Sequence, residues 1–208
     1  MNIAVFGAKG RVGSAVVALS RGHNVWQIDK DFCKNPLSQV DVAIDFSLPS
    51  ATNKVVEFCK THHCPLVTGV TGRNAEQERL VENLANHVTV VAMDNFSKGI
   101  ALLAQICQYV SQNCNWDCEI VETHHVGKKD SPSGTAKALA SKIAKARGEF
   151  CHVAIHSLRV GSNFGKHQVV FATQGESLTI THQAENVEIF AKGALQKALE
   201  VVQNNVNN

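Results

Sequence analysis

The sequence predicts an α/β chain in two parts: a parallel sheet covered on both faces by helices, then a smaller α+β region with a mixed, open sheet. Three observations predict it. The first half alternates short β-branched runs with longer helical patterns, the rhythm of right-handed βαβ units. That rhythm breaks at a long helical stretch, Ile100 to Gln112. Beyond it, strand-like runs are joined by short connections such as Gln174-Gly175-Glu176, which point to antiparallel or mixed pairing.

In the first half the strand candidates are Ile3 to Phe6, Asn24 to Ile28, Val40 to Ile44, Pro65 to Thr68 and Val88 to Val91. Helical patterns fall between several of them, at Val12 to Ser20, Ala51 to Thr61 and Ala75 to Asn86. After the long helix come a strand at Asp117 to Glu122 and a helix at Ser133 to Lys145. Strands follow at Val153 to Val160, Gln168 to Thr173 and Ser177 to Gln183. The last helix, Phe190 to Val202, runs into an Asn-rich tail expected to fray.

Bulk properties narrow the class. A chain of 208 residues, 44% hydrophobic and 18% charged, can bury one large core or two small ones. A formal charge of +2 gives no reason to expect nucleic acid or a membrane surface as partner. No apolar run reaches the roughly 18 to 20 residues of a membrane span, and Asn2 leads straight into a strand rather than a signal peptide. The seven scattered cysteines read as free thiols in a reducing, cytoplasmic setting. The cluster Cys59-x2-His62-His63-Cys64 has zinc-ligand chemistry but no matching second pair, so it is read as packing and no metal is expected.

The first strand ends at Gly7-Ala8-Lys9-Gly10-Arg11-Val12-Gly13, which opens into a helix. Glycines permit the tight turn and let backbone N–H groups reach a pyrophosphate at the positive end of the helix. Asp29 lies 22 residues after Gly7, at the end of the second strand, where a Rossmann-type domain places a carboxylate for the adenosine ribose. A carboxylate there favours NADH, whereas Lys30 and Arg11 attract the extra phosphate of NADPH, so use of both is expected.

The other chemically dense segment is Glu122 to Thr135. It leaves a strand and enters a helix, with Ser131 suited to N-cap and Pro132 to the first helical position. His124 and His125 can move protons near neutral pH, Lys128 supplies charge, and Ser133, Gly134 and Thr135 offer donors at a helix start. That grouping suits a substrate carrying carboxylates.

The segment resembles the signature of the 4-hydroxy-tetrahydrodipicolinate (dihydrodipicolinate) reductases, Glu-x-His-His-x-x-Lys-x-Asp-x-Pro-Ser-Gly-Thr. The likeness extends to the Gly7–Gly13 turn, Asp45-Phe46-Ser47, Gly69-Val70-Thr71-Gly72, Asn95-Phe96-Ser97-Lys98-Gly99, Gly165-Lys166-His167, Ile180-Thr181-His182 and Phe190 to Ala194. It implies NAD(P)H-dependent reduction of a small cyclic dicarboxylate in the diaminopimelate route to lysine. His124 would be the catalytic acid/base and Lys128 its proton-donating partner. His125, Lys128, Ser133, Gly134, Thr135 and Thr71 would hold substrate. Gly7 to Gly13, Asp29, Lys30, Phe46, Gly69, Thr71, Asn95 and Phe96 would hold cofactor. The resemblance further implies a dinucleotide-binding domain of residues 1–96 and 187–208, a substrate and oligomerisation domain of residues 97–186, a closing hinge and a homotetramer.

Departures from the pattern are a short chain with trimmed connections, including Lys145 to Val153, Val70 in place of a threonine, and Lys9 where a small residue is commoner. An aspartate-type dehydrogenase on the same cofactor domain would leave the Pro-Ser-Gly-Thr helix start unexplained. A non-catalytic dinucleotide sensor would not require His124 or Lys128. A serine hydrolase through Ser133 lacks a nucleophile elbow.

Overall fold

The apolar run that opens the chain becomes β1 (Asn2–Phe6), the inner strand on which a six-stranded sheet is built. The computed structural model describes residues 1–148 and 151–206. It divides into one unit of Met1–Phe96 plus the chain from Val187 onward, and another of Ser97–Asn186.

In the first unit, β1 lies between β2 (Asn24–Asp29) and β4 (Val42–Asp45). The order continues through β5 (Leu66–Thr68) to β6 (Val90–Ala92), all of these pairings parallel. The helices α1 (Arg11–Leu19), α2 (Thr52–His62) and α3 (Ala75–Leu84) connect them. α6 (Glu188–Val206) packs against α1, β4 and β5. Successive strand side chains alternate between faces. Ala4, Phe6 and Ala43 therefore join the core with Val55, Cys59 and Leu84, while Ile3, Val5 and Ile44 join the opposite core with Val16 and Ala194.

The sheet has one strand that the pattern did not predict, β3 (Phe32–Lys34), antiparallel to β2 at the edge. Three residues within a polar stretch leave too short a period to read. A 3-10 turn, Pro49–Ala51, precedes α2 and takes in Ala51, where the pattern predicted the helix to start. The last helix continues to Val206 rather than fading after Val202, and residues 207–208 of the expected frayed tail lie outside the described residues. So does part of the trimmed Lys145-to-Val153 connection, residues 149–150.

Cys59 and Cys64 are buried in the core, and the His62 ring lies 4.2 Å from that of Phe58. His63 caps α2 in the left-handed conformation. Among the described residues no three His, Cys, Asp or Glu side chains are grouped as a metal site would need. Among the described residues no helix is long and apolar enough to cross a membrane.

In the second unit, α4 (Lys98–Asn113) leads into β7 (Asp117–His124), which α5 (Gly134–Ala146) connects to β8 (Ala154–Arg159). β9 (Lys166–Thr173) and β10 (Glu176–Gln183) form a hairpin. The sheet order is β10-β9-β7-β8, with β7 parallel to β8 and antiparallel to β9, hence mixed. Leu103, Cys107, Ile120, Leu139, Ile143 and Phe171 fill its core.

Ser133, not Ser131, is the N-cap of α5, accepting the Ala136 N–H at 3.2 Å, and Pro132 stands outside the helix. Ser133 wins because it has the extended backbone a cap needs, while Gly134 and Thr135 already lie within the first turn.

Candidate active site

The first unit carries a cleft of about 650 Å³ at the carboxyl end of its strands. Gly7, Lys9, Gly10, Asp29, Lys30 and Phe46 line it, as do Leu48 and Lys54. Gly7 has φ 73°, and a Cβ there would lie 2.5 Å from the Phe46 carbonyl oxygen, so only glycine lets the turn pass under this wall. Gly10 caps α1 without a side-chain hydrogen bond, and no acidic residue stands in the first turn. The positive end of α1 thus carries neither a side-chain cap at Gly10 nor an acidic first-turn residue, which fits a dinucleotide pyrophosphate.

Asp29 accepts the backbone N–H groups of Lys9 and Lys30, each at 2.9 Å. Those two bonds hold its carboxyl below the usual range, so it stays ionised at the rim. The Lys9 ammonium sits 4.0 Å from the centre of the Phe32 ring. This cation–π contact is supplied by the unpredicted strand β3.

The other expected cofactor residues do not line this cleft. Ala8 and Gly13 are buried beneath it, Val12 packs on the core, and Arg11 is exposed at the start of α1. Gly69 sits directly under the Phe46 ring. Phe96 is buried with its ring edge-on to Phe46 at 5.7 Å, Asn95 is half-buried, and Thr71 is exposed.

The Gly69–Gly72 loop is held by a group that the sequence reading missed, Arg73. Its guanidinium donates to the Val70 carbonyl at 3.2 Å, Thr52 Oγ1 at 3.2 Å, Thr68 Oγ1 at 2.6 Å and the Asp45 carboxylate at 3.3 Å. Burial pushes the Asp45 carboxyl up, against the bonds from Ser47 and Thr68 and the charge of Arg73. Val70, which stands in place of the pattern's threonine, is itself buried.

The second unit gathers its charged side chains where β7, β8, β9 and the start of α5 meet. His124 is not a loop residue but the last residue of β7, and it is 7% exposed. Its Nδ1 hydrogen-bonds Glu122 Oε2, two residues back on the same strand face. Glu122 is fully buried. Arg159, the register partner of His124 on β8, grips both Glu122 oxygens, at 2.8 and 3.1 Å. It also donates to the Asp130 carbonyl at 2.5 Å. Burial pushes the Glu122 carboxyl up, but the bonds from Arg159 and His124 outweigh it and hold it at about 2. Burial pushes His124 below its ordinary value, opposed by the same carboxylate, and the positive charges of Lys128 and Arg159 add to the lowering.

His167 on β9 lies edge-on to His124, with ring centres 5.2 Å apart, and its Nε2 is 3.4 Å from Ser133 Oγ. Burial, reinforced by His124, holds His167 down to about 3. Lys128 pairs with Asp130 at 2.7 Å. The α5 start is partly engaged by the chain's own acids: the Ser133 N–H donates to Glu122 Oε1 at 3.3 Å, and the Gly134 N–H to the Asp130 carboxylate. Thr135 is buried in the first turn, and half-buried His125 donates its N–H to the Asn163 carbonyl at 3.0 Å.

The segment thus brings His124, Lys128, Ser133 and Gly134 into one network. Arg159, His167 and the carboxylates of Glu122 and Asp130 had no assigned role in the sequence reading. One signal was available. Cys118, Ile120, Glu122 and His124 alternate onto one strand face, and an acid in line with core residues needs a buried partner.

Comparison with known proteins decides the family. Residues 23–96 match the family model "Dihydrodipicolinate reductase, N-terminus", and residues 99–207 match "Dihydrodipicolinate reductase, C-terminus". The chain belongs to the dihydrodipicolinate reductase family. A 4-hydroxy-tetrahydrodipicolinate reductase of Thermosipho africanus is 38% identical over 95% of this chain and 90% of its own length. A dipicolinate-bound dihydrodipicolinate reductase structure from Paenisporosarcina sp. TG-14 superposes with a TM-score of 0.73 at 22% identity, covering 98% of this chain and 95% of the other. An aspartate dehydrogenase from Thermotoga maritima gives 0.53 at 14% identity, covering 96% and 95%. The fold is therefore shared with the rival dehydrogenase class. The two dihydrodipicolinate reductase family models, not the fold, separate this chain from it.

Proposed function

We propose that this chain is a 4-hydroxy-tetrahydrodipicolinate reductase, reducing its cyclic dicarboxylate substrate to tetrahydrodipicolinate with NADH or NADPH in diaminopimelate and lysine synthesis. The observation that carries the reading is the His124–Glu122–Arg159 cluster beside Lys128 and the α5 start, in a chain with a dinucleotide-type cleft. The first unit holds the cofactor, which supplies hydride when bound. The second unit holds the substrate.

In this reading Gly7 to Gly13 cradle the pyrophosphate and Asp29 receives the ribose hydroxyls, with Lys30 beside it. Phe46, Gly69, Thr71, Asn95 and Phe96 shape the nicotinamide end. Lys128, His125 and the Ser133–Thr135 helix start bind the substrate carboxylates, with Thr71 as a further contact. A substrate carboxylate at that seat takes over the Lys128 and Gly134 N–H partners that Asp130 holds here. His124 and Lys128 manage the proton that accompanies hydride delivery. The protein acts in the cytoplasm as a homotetramer assembled through its second unit.

A coupled assay tests this. Substrate is generated by dihydrodipicolinate synthase, and loss of reduced nicotinamide absorbance is followed with each cofactor. Oxidation of at least one is expected, and oxidation of neither overturns the assignment.

A further inference from the structure

Glu122 is a fully buried acid that the mechanism above does not use, and it sits at the centre of the most densely bonded part of the second unit. Its Oε2 meets His124 Nδ1 and one Arg159 nitrogen, and its Oε1 meets the other Arg159 nitrogen and the Ser133 N–H. We infer that Glu122, clamped by the Arg159 fork, is a positioning residue that keeps the His124 proton on Nδ1 and so leaves Nε2 as the only ring atom that exchanges a proton with substrate. The inference rests on the reductase reading for what Nε2 exchanges with, but not for the tautomer.

The geometry supports each part. An ionised carboxylate only accepts, so the atom facing it must be Nδ1–H. Two-point binding by a planar guanidinium leaves Glu122 no freedom to rotate away. At the other side of the ring, Gly165 has φ 139°, and a Cβ built there would lie 3.1 Å from His124 Nε2 and 3.4 Å from Cδ2. A side chain at 165 would therefore cover Nε2, and glycine keeps that atom approachable. The charged or titratable groups facing His124 are Glu122 on its own strand, Arg159 on β8, His167 on β9 and Lys128 in the following loop. Of these Glu122 alone is negative, so it alone raises the affinity of the ring for a proton. The same carboxylate bonds the Ser133 N–H, so proton position and helix-start position are set by one group.

The first test uses the unaltered protein. In ¹⁵N-histidine spectra at neutral pH, with His124 assigned by its loss in His124→Gln, the ring is expected as the Nδ1–H tautomer; an Nε2–H tautomer overturns the inference. The second test is the pH profile of kcat/KM. Glu122→Gln is expected to move the limb belonging to His124 down by roughly 1 to 3 pH units. It should also cut kcat about 10²-fold while NADH affinity holds. Glu122→Asp should restore part of both. A folded Glu122→Gln protein with an unmoved limb and unchanged kcat overturns it. If Glu122→Gln does not fold, the comparison passes to Gly165→Ala, expected to lower kcat by covering Nε2 while leaving the Nδ1–H signature in place; unchanged kcat there counts against. A wild-type protein without reductase activity sinks the functional reading and leaves the tautomer result standing.

Discussion

The two units solve recognition in opposite ways. One end of the first unit's cleft is main chain, with the Gly7 and Gly10 turn, a helix start that has no side-chain cap, and one carboxylate that backbone amides hold at its rim. The cluster of the second is made of side chains, with Glu122, His124, Ser133 and His167 each less than 9% exposed and bonded to one another. Backbone donors survive substitution of most side chains, whereas a buried network loses function when any member leaves an uncompensated neighbour. Single substitutions should therefore act strongly in the second unit and mildly in the first.

The largest effect is expected at His124. His124→Gln removes the ring proposed to exchange the proton and should lower turnover about 10²- to 10⁴-fold, while NADH affinity by fluorescence titration stays as in wild type. Wild-type turnover would break the comparison at its strongest point. Next comes Lys128→Ala. Lys128 is the cation that Asp130 occupies at 2.7 Å and that a substrate carboxylate would claim. Loss of one charge-assisted bond of about 1.5–3 kcal/mol raises KM roughly 10- to 100-fold, with kcat falling as well. An unchanged KM would remove Lys128 from substrate binding.

Acid should also separate the units. His167 is held at about 3, below an unfolded value near 6.5, so between those pH values the unfolded chain takes up a proton that the native chain refuses. Stability falls there as pH drops, at most by about 1.4 kcal/mol per pH unit for one proton. Glu122, held at about 2, is stabilising above its unfolded value near 4.3, and that contribution is lost as pH falls through 2. Asp45 in the first unit is raised by burial, so acid favours its native, protonated form instead. On lowering pH from 7 toward 4, hydrogen exchange should accelerate in β7, β9 and α5 before β1, β4 and β5. Simultaneous loss of protection would erase the distinction.

What was legible in the sequence follows the same division. The Gly7–Gly13 turn, the parallel strands and Asp29 are local signals, written in period and spacing, and each appears where the pattern predicts. The cluster was legible only from Glu122 to Thr135, because Arg159 and His167 arrive from 37 and 45 residues beyond Glu122 through register alone. Nothing local in Leu158-Arg159-Val160 distinguishes a surface arginine from one placed opposite His124. Likewise Phe32-Cys33-Lys34 is too short to announce a strand, so the seat it gives Lys9 was hidden. The cap at Ser133 was misplaced at Ser131 because both serines precede a helix-compatible run, and the choice is made by backbone geometry.

The smallest effect, and the finest probe of the first unit, is at Asp29. Both its oxygens accept backbone N–H groups, from Lys9 and Lys30. Asp29→Asn keeps one acceptor but turns an amide N–H toward the other backbone donor, so the cradle loosens and both cofactors should bind less tightly. The loss should not be equal. Removing the carboxylate ends its repulsion of a 2′-phosphate, while Lys30 stays exposed beside the cleft to attract that phosphate. The NADPH-to-NADH affinity ratio should therefore rise about 5-fold, the worth of roughly one hydrogen bond, with kcat close to wild type for whichever cofactor saturates. Separate titrations with the two cofactors measure it. A ratio that does not move would mean that Asp29 serves only to hold Lys9 and Lys30, and that discrimination in this cleft is set by the lysines alone.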